Sequence, residues 1–506
     1  MKHTNPLVKG ALILISAGLV TRVIGFFYRI FLSRTIGAEG LGLYNLIFPV
    51  YGIVCALSIA PVQTAISRFV AEEHASKKKG GMVSTLLAGT LLSFSITIIL
   101  SFLIYFNAEW IAVSFLNENH CIDLLKIMAF SLPFNSIHSC ISGYYYGIRK
   151  AATPSIAQLT EQIIRVITVY IICTISLANS NSISPSVAVI GIVIGDAASM
   201  LYSVISLPFS IKCNVKIAEL SKHLHKIFTF SIPLAVNRLF LSILHSIESV
   251  LIPIQLRLSG LADSDAISLF GILTGMAMPF IQFPSAIPNA IAVLLLPEVA
   301  AASASSENAD DQKNSNLFRS SKAGIQYSLL LGILCVGIFS AYGSDMGIII
   351  FNNPTAGTFI EILAWLCPFM YITTTFGSIL NGLGETAAPF IHNIISILIR
   401  LAFIFFGIPT YGIIAYLYGT LVSQISIALL HYISIRKKVS LNLNALRVIV
   451  WPTIILLVSL LVTGTLLTPL ESTNIIPLLI LVIKCGAAGL MYLILLSVFK
   501  LLDINT

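Results

Sequence analysis

Four basic side chains stand in two pairs, seven residues apart, inside two very apolar stretches of the chain. "VTRVIGFFYR" carries Arg22 and Arg29, and "VNRLFLSILH" carries Arg238 and His245. Two turns of an α-helix take about 7.2 residues, so each pair is expected on one helix face. Guanidinium groups bind phosphate through two hydrogen bonds and stay charged at physiological pH. The two stretches therefore predict a cationic site for an anionic group such as a pyrophosphate.

Carboxylates accompany these cations. Glu248 follows His245 by three residues, on the same expected helix face. It either neutralises the neighbouring cations or takes up a proton during transport, and the sequence leaves both roles open. Glu161 precedes Arg165 by one turn, a spacing that favours a structural ion pair within a helix. Two more charged residues inside apolar stretches are kept as coupling or structural candidates: Asp196 and Arg400.

The composition of the chain is that of an integral membrane protein. Of its 506 residues, 57% are hydrophobic and 10% are charged, and the mean hydropathy is +0.94. Soluble domains carry about 25% charged residues. The apolar runs are long enough to cross a bilayer and lack the alternation of strands, so they predict transmembrane α-helices. Fourteen runs follow one another, and the expected fold is all-α and polytopic.

A charged side chain at the depth of the bilayer costs about 2.5–3.5 kcal/mol of insertion free energy and normally faces a cavity. Arg22 and Arg238 fall near the middle of the first and seventh runs, so we expect them to line a central cavity. Arg29 and His245 lie nearer to the outer ends of these runs and are assigned to the same cavity. Arg34 is expected to reach the membrane surface, as long basic side chains do near helix ends.

Basic residues are concentrated in alternate loops, of which "HASKKKG" is one. The positive-inside rule places these loops in the cytoplasm, with both termini on the same side. This distribution explains the net charge of +8 without a nucleic-acid partner. The eight cysteines have no CxxC or Cys/His spacing, so we expect neither a disulfide framework nor a metal site.

The chain contains an internal repeat. "KIMAFSLPF" in the fourth run aligns with "EILAWLCPF" in the tenth, and Arg165 aligns with Arg400 at the same offset of 235. The two copies lie six runs apart and so enter the membrane in the same direction, as in transporters built from two parallel halves. The expected organisation is a six-helix N-lobe at 1–222, a six-helix C-lobe at 223–440 and a two-helix appendage at 441–506.

The first and seventh runs also align, at an offset of 216, which pairs Arg22 with Arg238 and Arg29 with His245. The two helices are then expected to present two tiers of cations to each other across the centre. Pro61 and Pro288 occupy matching places in the second and eighth runs. Because proline interrupts helical hydrogen bonding, we expect hinges there.

Longer motifs carry a family resemblance. "SAGLVTRVIGFFYRIFLSRTIGAEGLGLYNLIFPVYGIVCALSIAPVQTAISRFVAEE" (16–73) and "LNGLGETAAP" (380–389) resemble proteins similar to stage V sporulation protein B. These form part of the polysaccharide transporter branch of the multidrug/oligosaccharidyl-lipid/polysaccharide (MOP) exporter superfamily. The resemblance covers essentially the whole chain.

The resemblance implies a V-shaped fold of two lobes, as in multidrug and toxin extrusion (MATE) transporters, and alternating access. It also implies a flippase that moves an undecaprenyl-pyrophosphate-linked glycan from the inner to the outer leaflet of a bacterial plasma membrane. The cargo would be a precursor of peptidoglycan, as in sporulation, or of another envelope polysaccharide. The related lipid II flippases carry a further arginine six residues after the first, where this chain has Tyr28. Residue roles from that group therefore carry over only to Arg22.

Two other functions compete with that of a flippase. A MATE-type antiporter would bind a drug or cation at carboxylates such as Glu161 and Asp196, which a cationic cavity disfavours. A membrane-bound transferase would need clustered carboxylates, yet the loops contain no DxD or HxxxxD motif. We therefore expect no enzyme, no catalytic residue and no cofactor. The expected partners are the lipid-linked saccharide, membrane lipids and a coupling ion, either H⁺ or Na⁺.

Overall fold

The computed structural model describes residues 6–77, 79–178, 183–207, 217–304, 311–438, 444–469 and 476–501. Within these ranges, fourteen helices are long and apolar enough to cross a membrane. We number them α1 to α14. Their bounds are Pro6–Thr35, Gly37–Ala75, Lys79–Phe106, Cys121–Gly147, Ala152–Ala178, Ser186–Ser206, Ile217–Leu258, Asp263–Ala300, Asp311–Phe351, Pro354–Gly382, Ala387–Tyr411, Ile413–Arg436, Leu446–Leu467 and Pro477–Val498. The all-α, fourteen-helix fold expected from the sequence is confirmed.

Wide π-helical turns precede four prolines of the membrane helices. The turns Cys55–Ile59, Ile272–Ala277, Phe403–Gly407 and Leu446–Val450 each end two residues before a proline. Proline has no N–H to donate and its ring displaces the carbonyl one turn earlier, so the preceding turn widens. The expected hinge residue Pro61 follows the first of these turns. Pro288 lies in the first turn of Ala286–Ala304, after a short 3₁₀ turn, whereas the π-helical turn of α8 precedes Pro279.

The helices form two packing units. The first contains Met1–Ile254 and Ala262–Gly271, and the second contains Gln255–Leu261 and Ile272–Thr506. Most of α7 thus packs with the first unit, although the repeat assigns it to the second half of the chain. The expected junction at 440/441 lies outside the described residues, and the two C-terminal helices pack against α9 in the second unit through Leu330, Leu456 and Tyr492.

Glycines let α5 and α6 approach each other closely in the first unit. A Cβ on Gly195 would lie 2.9 Å from the carbonyl oxygen of Glu161, and a Cβ on Gly191 would lie 2.4 Å from Val169. Small residues four apart commonly form such interfaces in membranes. The repeat counterpart of Gly195 is Gly419 on α12, where a Cβ would lie 2.5 Å from Phe403 of α11. The same close approach therefore recurs in both units.

Candidate functional site

Arg22 lies near the middle of α1, sixteen residues after Pro6 and thirteen before Thr35, and its side chain is exposed. Helix α1 packs along α5, where the rings of Phe31 and Tyr170 are 6.0 Å apart. A guanidinium group at this depth needs water or an anion beside it rather than lipid.

Arg238 occupies the corresponding position of α7. It lies twenty-one residues after the start of this helix at Ile217 and twenty before its end at Leu258, and it is exposed. Its Nη2 donates a 3.4 Å hydrogen bond to Oγ1 of Thr64 on α2. The two helices are also joined by Ser246, whose Oγ lies 3.2 Å from the carbonyl oxygen of Pro49. Arg238 is thus oriented by α2, a contact that sequence reasoning did not identify.

His245 and Glu248 form the pair that their spacing suggested. Nδ1 of His245 lies 3.5 Å from Oε2 of Glu248. The histidine side chain is 58% exposed and the glutamate side chain 7% exposed. The carboxylate is therefore buried beneath an imidazole that remains accessible.

Arg29 joins a different set of residues from Arg22. It is partly buried and interacts electrostatically with Tyr28, Tyr44 and Arg165. Both tyrosines are buried, with 6% of their surface exposed. The hydroxyl of Tyr28 makes no hydrogen bond within the described residues. Arg29 therefore reaches toward α5 and α2 inside the first unit, where the sequence placed no partner for it.

Arg165 is the centre of this set. Its Nη2 donates to Oε1 of Glu161 one turn earlier and lies 3.8 Å from Oδ1 of Asp196 on α6. Asp196 is 4% exposed, and Tyr44 interacts electrostatically with all three charged groups. Together with Arg29, two cations and two carboxylates balance in charge. The sequence paired only Glu161 with Arg165 and left Arg29 and Asp196 as separate candidates, whereas the structure brings all four together as one polar cluster.

The second unit repeats the arginine but not the carboxylates. Arg400 Nη1 donates to Oγ of Ser396 one turn earlier, at 3.0 Å, and to Oγ of Ser423 on α12, at 3.5 Å. By the offset of 235, Ser396 stands where the first unit has Glu161. The two arginines are held in the same way by residues of different charge, so the units share a framework and differ in chemistry.

Comparison with known proteins decides the family. Residues 7–297, more than half of the chain, match the family described as polysaccharide biosynthesis protein. The chain belongs to this polysaccharide biosynthesis protein family. Its relatives include stage V sporulation protein B of Bacillus subtilis (strain 168), which is 25% identical over 444 residues that cover 86% of this chain and 85% of that protein.

Solved structures support the same fold for this family member. Lipid II flippase MurJ in an inward closed conformation superposes with a TM-score of 0.72 at 16% identity, covering 96% of this chain and 98% of that one. An inward-facing multidrug resistance MATE family transporter of the MOP superfamily gives 0.64 at 13% identity, covering 85% and 98%. At these identities the likeness establishes the fold and not the cargo. The chain is thus a multi-pass membrane protein of the polysaccharide biosynthesis protein family that has the fold of these flippase and MATE transporter structures.

Proposed function

We propose that this protein is a flippase that moves an undecaprenyl-pyrophosphate-linked glycan from the inner to the outer leaflet of the bacterial plasma membrane by alternating access. The glycan is a precursor of peptidoglycan or of another envelope polysaccharide. The proposal rests chiefly on Arg22 and Arg238, two exposed arginines near the middle of their membrane helices. Cations at this depth are stabilised by a water-filled face and by an anionic cargo.

Chemistry favours a pyrophosphate for this site. Arginine binds phosphate through two parallel N–H···O bonds and does not lose its proton. Thr64 holds Arg238 through its hydroxyl and leaves most guanidinium N–H groups for a ligand. His245, over the buried Glu248, adds an accessible imidazole two turns further along α7. Arg29, the remaining basic residue predicted for this site, lies with the polar cluster around Arg165.

Binding measurements test the anion preference. Native mass spectrometry of the purified protein with undecaprenyl pyrophosphate should detect a complex that Arg22→Ala and Arg238→Ala weaken by at least about tenfold, or about 1.4 kcal/mol. Arg238→Lys should restore only part of the affinity, because an ammonium group lacks the planar fork of a guanidinium. Arg34→Ala, at the end of α1, is the matched control. Equal affinity in all four variants would contradict the proposed site.

A coupled antiporter of the MATE type is the second candidate. It is favoured by the carboxylates Glu161 and Asp196 in the first unit, of which Asp196 is buried; they could bind H⁺ or Na⁺ as a coupling ion. Arg165 and Arg29 weigh against this function, because these two cations already balance the two carboxylates in charge. Efflux of a fluorescent organic cation by the reconstituted protein would favour the antiporter over the flippase.

A further inference from the structure

Two histidines of the second unit face each other inside the membrane. His392 on α11 and His431 on α12 are 8% and 2% exposed. Their Nδ1 atoms are 3.1 Å apart and their ring centroids 4.9 Å apart. The sequence presents them as isolated polar residues thirty-nine positions apart, and neither contributes to the proposed cargo site.

The short N···N distance requires one nitrogen to donate and the other to accept. Neutral imidazole has one N–H and one bare nitrogen, so a neutral pair holds a single N–H···N bond. Oγ of Ser434 lies 3.5 Å from Nε2 of His392, and a hydroxyl can donate to or accept from that nitrogen. His431 also bonds to the carbonyl of Ile427 one turn earlier. One ring nitrogen outside the N–H···N bond remains bare and can take a proton without breaking that bond.

The fold does not need this pair. By the repeat offsets of 235 and 224, the counterparts of His392 and His431 in the first unit are Ala157 and Leu207. Helices α5 and α6 contain no histidine and still pack closely, just as α11 packs on α12. Ala157 lies in α5, and Leu207 directly follows α6. A buried polar pair in place of two apolar side chains costs desolvation, so its presence points to a role other than packing.

The surroundings of the pair suit a proton better than a metal ion. Among the described residues there is no group of three or more His, Cys, Asp or Glu that could hold a metal. Charged and titratable groups on the elements packed around the pair include Tyr371, Arg400, Tyr432, Arg436 and the ion pair between Glu385 and Lys438. The electrostatic neighbour of His431 is nevertheless His392, not one of these groups.

We infer that His392 and His431 form a proton-binding site that holds one added proton in a charge-assisted N–H···N pair. The positive charge is then spread over two rings, which offsets part of the cost of burial. A second proton would place two N–H groups against each other at this distance, so the pair takes one. The two sites titrate as a unit rather than as separate histidines.

The histidine pair lies close to one end of both α11 and α12. His392 lies five residues after the start of α11 at Ala387, and His431 lies five residues before the end of α12 at Arg436. At 1.5 Å per residue the pair is about 7.5 Å from this end of both helices. The Glu385–Lys438 ion pair, 3.0 Å long, joins the chain at the same end. Proton binding here would change the charge at the packed end of α11 and α12.

Solid-state NMR of the full-length protein in lipid bilayers, labelled with ¹⁵N-histidine, tests the inference. We expect a scalar coupling between the two Nδ1 atoms at about pH 8 that persists at about pH 4, while both rings change shift together as about one proton is bound. His392→Gln and His431→Gln should each abolish the coupling and the shared titration. His138→Gln, which removes the buried histidine bonded to Ser203 in the first unit, should leave both unchanged.

A double variant separates the proton site from a structural role. His392→Ala with His431→Leu introduces the apolar residue types found at the aligned positions of the first unit. It should fold and bind about one proton fewer than the parent between about pH 8 and about pH 4. Independent titration of the two rings, no titration, or uptake of two protons would overturn the inference. A shift of both rings by stoichiometric Zn²⁺ at about pH 8 would overturn it in favour of a metal site. None of these readouts depends on cargo transport.

Discussion

Arg165 and Arg400 occupy equivalent positions of the internal repeat but have different electrostatic surroundings. Arg165 contacts two carboxylates, Glu161 and Asp196, in a buried region of the first unit. Arg400 contacts hydroxyl groups in the second. Removing one member of a buried ion pair leaves a charge without compensation, which costs more than removing a donor from a hydroxyl. The two arginines should therefore respond differently to the same substitution.

Arg165→Ala should destabilise the protein by about 3–5 kcal/mol, because it leaves two carboxylates together in a buried site. Arg400→Ala should cost about 1–3 kcal/mol, the range for an unsatisfied buried polar group. Thermal unfolding of the purified variants in detergent measures the difference as a larger fall in Tm for Arg165→Ala.

Neutralising the carboxylates provides the control. Glu161→Gln and Asp196→Asn, added to Arg165→Ala, should recover much of the lost stability, because the uncompensated charge is then gone. Equal losses for Arg165→Ala and Arg400→Ala, with no recovery in the triple variant, would mean that charge balance does not stabilise the cluster.

The side-chain partners of some of these residues could be predicted from the sequence, and those of others could not. Spacing within one helix identified the Glu161–Arg165 and His245–Glu248 pairs, because helical neighbours follow from geometry alone. The partners of Arg29 and Arg238 lie on other helices, and no spacing links Tyr44 or Thr64 to them. The opposition of Arg22 to Arg238 across a central cavity stays a prediction.

The number of membrane helices could be predicted because apolar runs must satisfy their backbone within the run. Interruptions were predicted only in part. Pro61 does follow a π-helical turn, but α8 widens before Pro279 rather than Pro288. Proline identifies where a helix can break, while neighbouring packing decides which of several nearby prolines deforms it.

Gly195 provides a test of helix packing. Gly195→Ala should lower the stability by about 1–3 kcal/mol, because its Cβ would press on the backbone oxygen of Glu161. The variant should also weaken the contact between Arg165 and Asp196. Unfolding midpoints in detergent measure the loss.

Gly464→Ala on α13 is the matched control, because a Cβ there meets no atom within 4 Å. Alanine should raise helix stability at this position by about 0.5–1 kcal/mol. The two substitutions are thus expected to have opposite signs. A gain of stability for Gly195→Ala would contradict the close approach of α5 and α6.

The chain contains an internal repeat, which is visible in the sequence as aligned prolines, glycines and arginines. The packing units nevertheless differ from the repeat boundaries, because most of α7 packs with the first unit. Similarity between the two halves of the sequence reflects a common origin, whereas the packing units reflect the contacts in the folded protein. The 1–222, 223–440 and 441–506 division remains a prediction about the repeat.

The orientation in the membrane can be tested with single cysteines in a cysteine-free background. A membrane-impermeant maleimide should label Asn107→Cys, after α3, in intact cells. It should label Lys150→Cys, between α4 and α5, only after permeabilisation, because the positive-inside rule places that loop in the cytoplasm. Both residues are exposed. The reverse labelling would place both termini outside.

Translocation in proteoliposomes tests the central claim most directly. An undecaprenyl-pyrophosphate-linked saccharide on the outer leaflet can be followed by its loss of accessibility to a membrane-impermeant glycosidase. The parent protein and Arg34→Ala should translocate it, while Arg22→Ala and Arg238→Ala should insert normally and lose most of the activity. Undiminished translocation by the Arg22 and Arg238 variants, or none by the parent protein, would contradict the account.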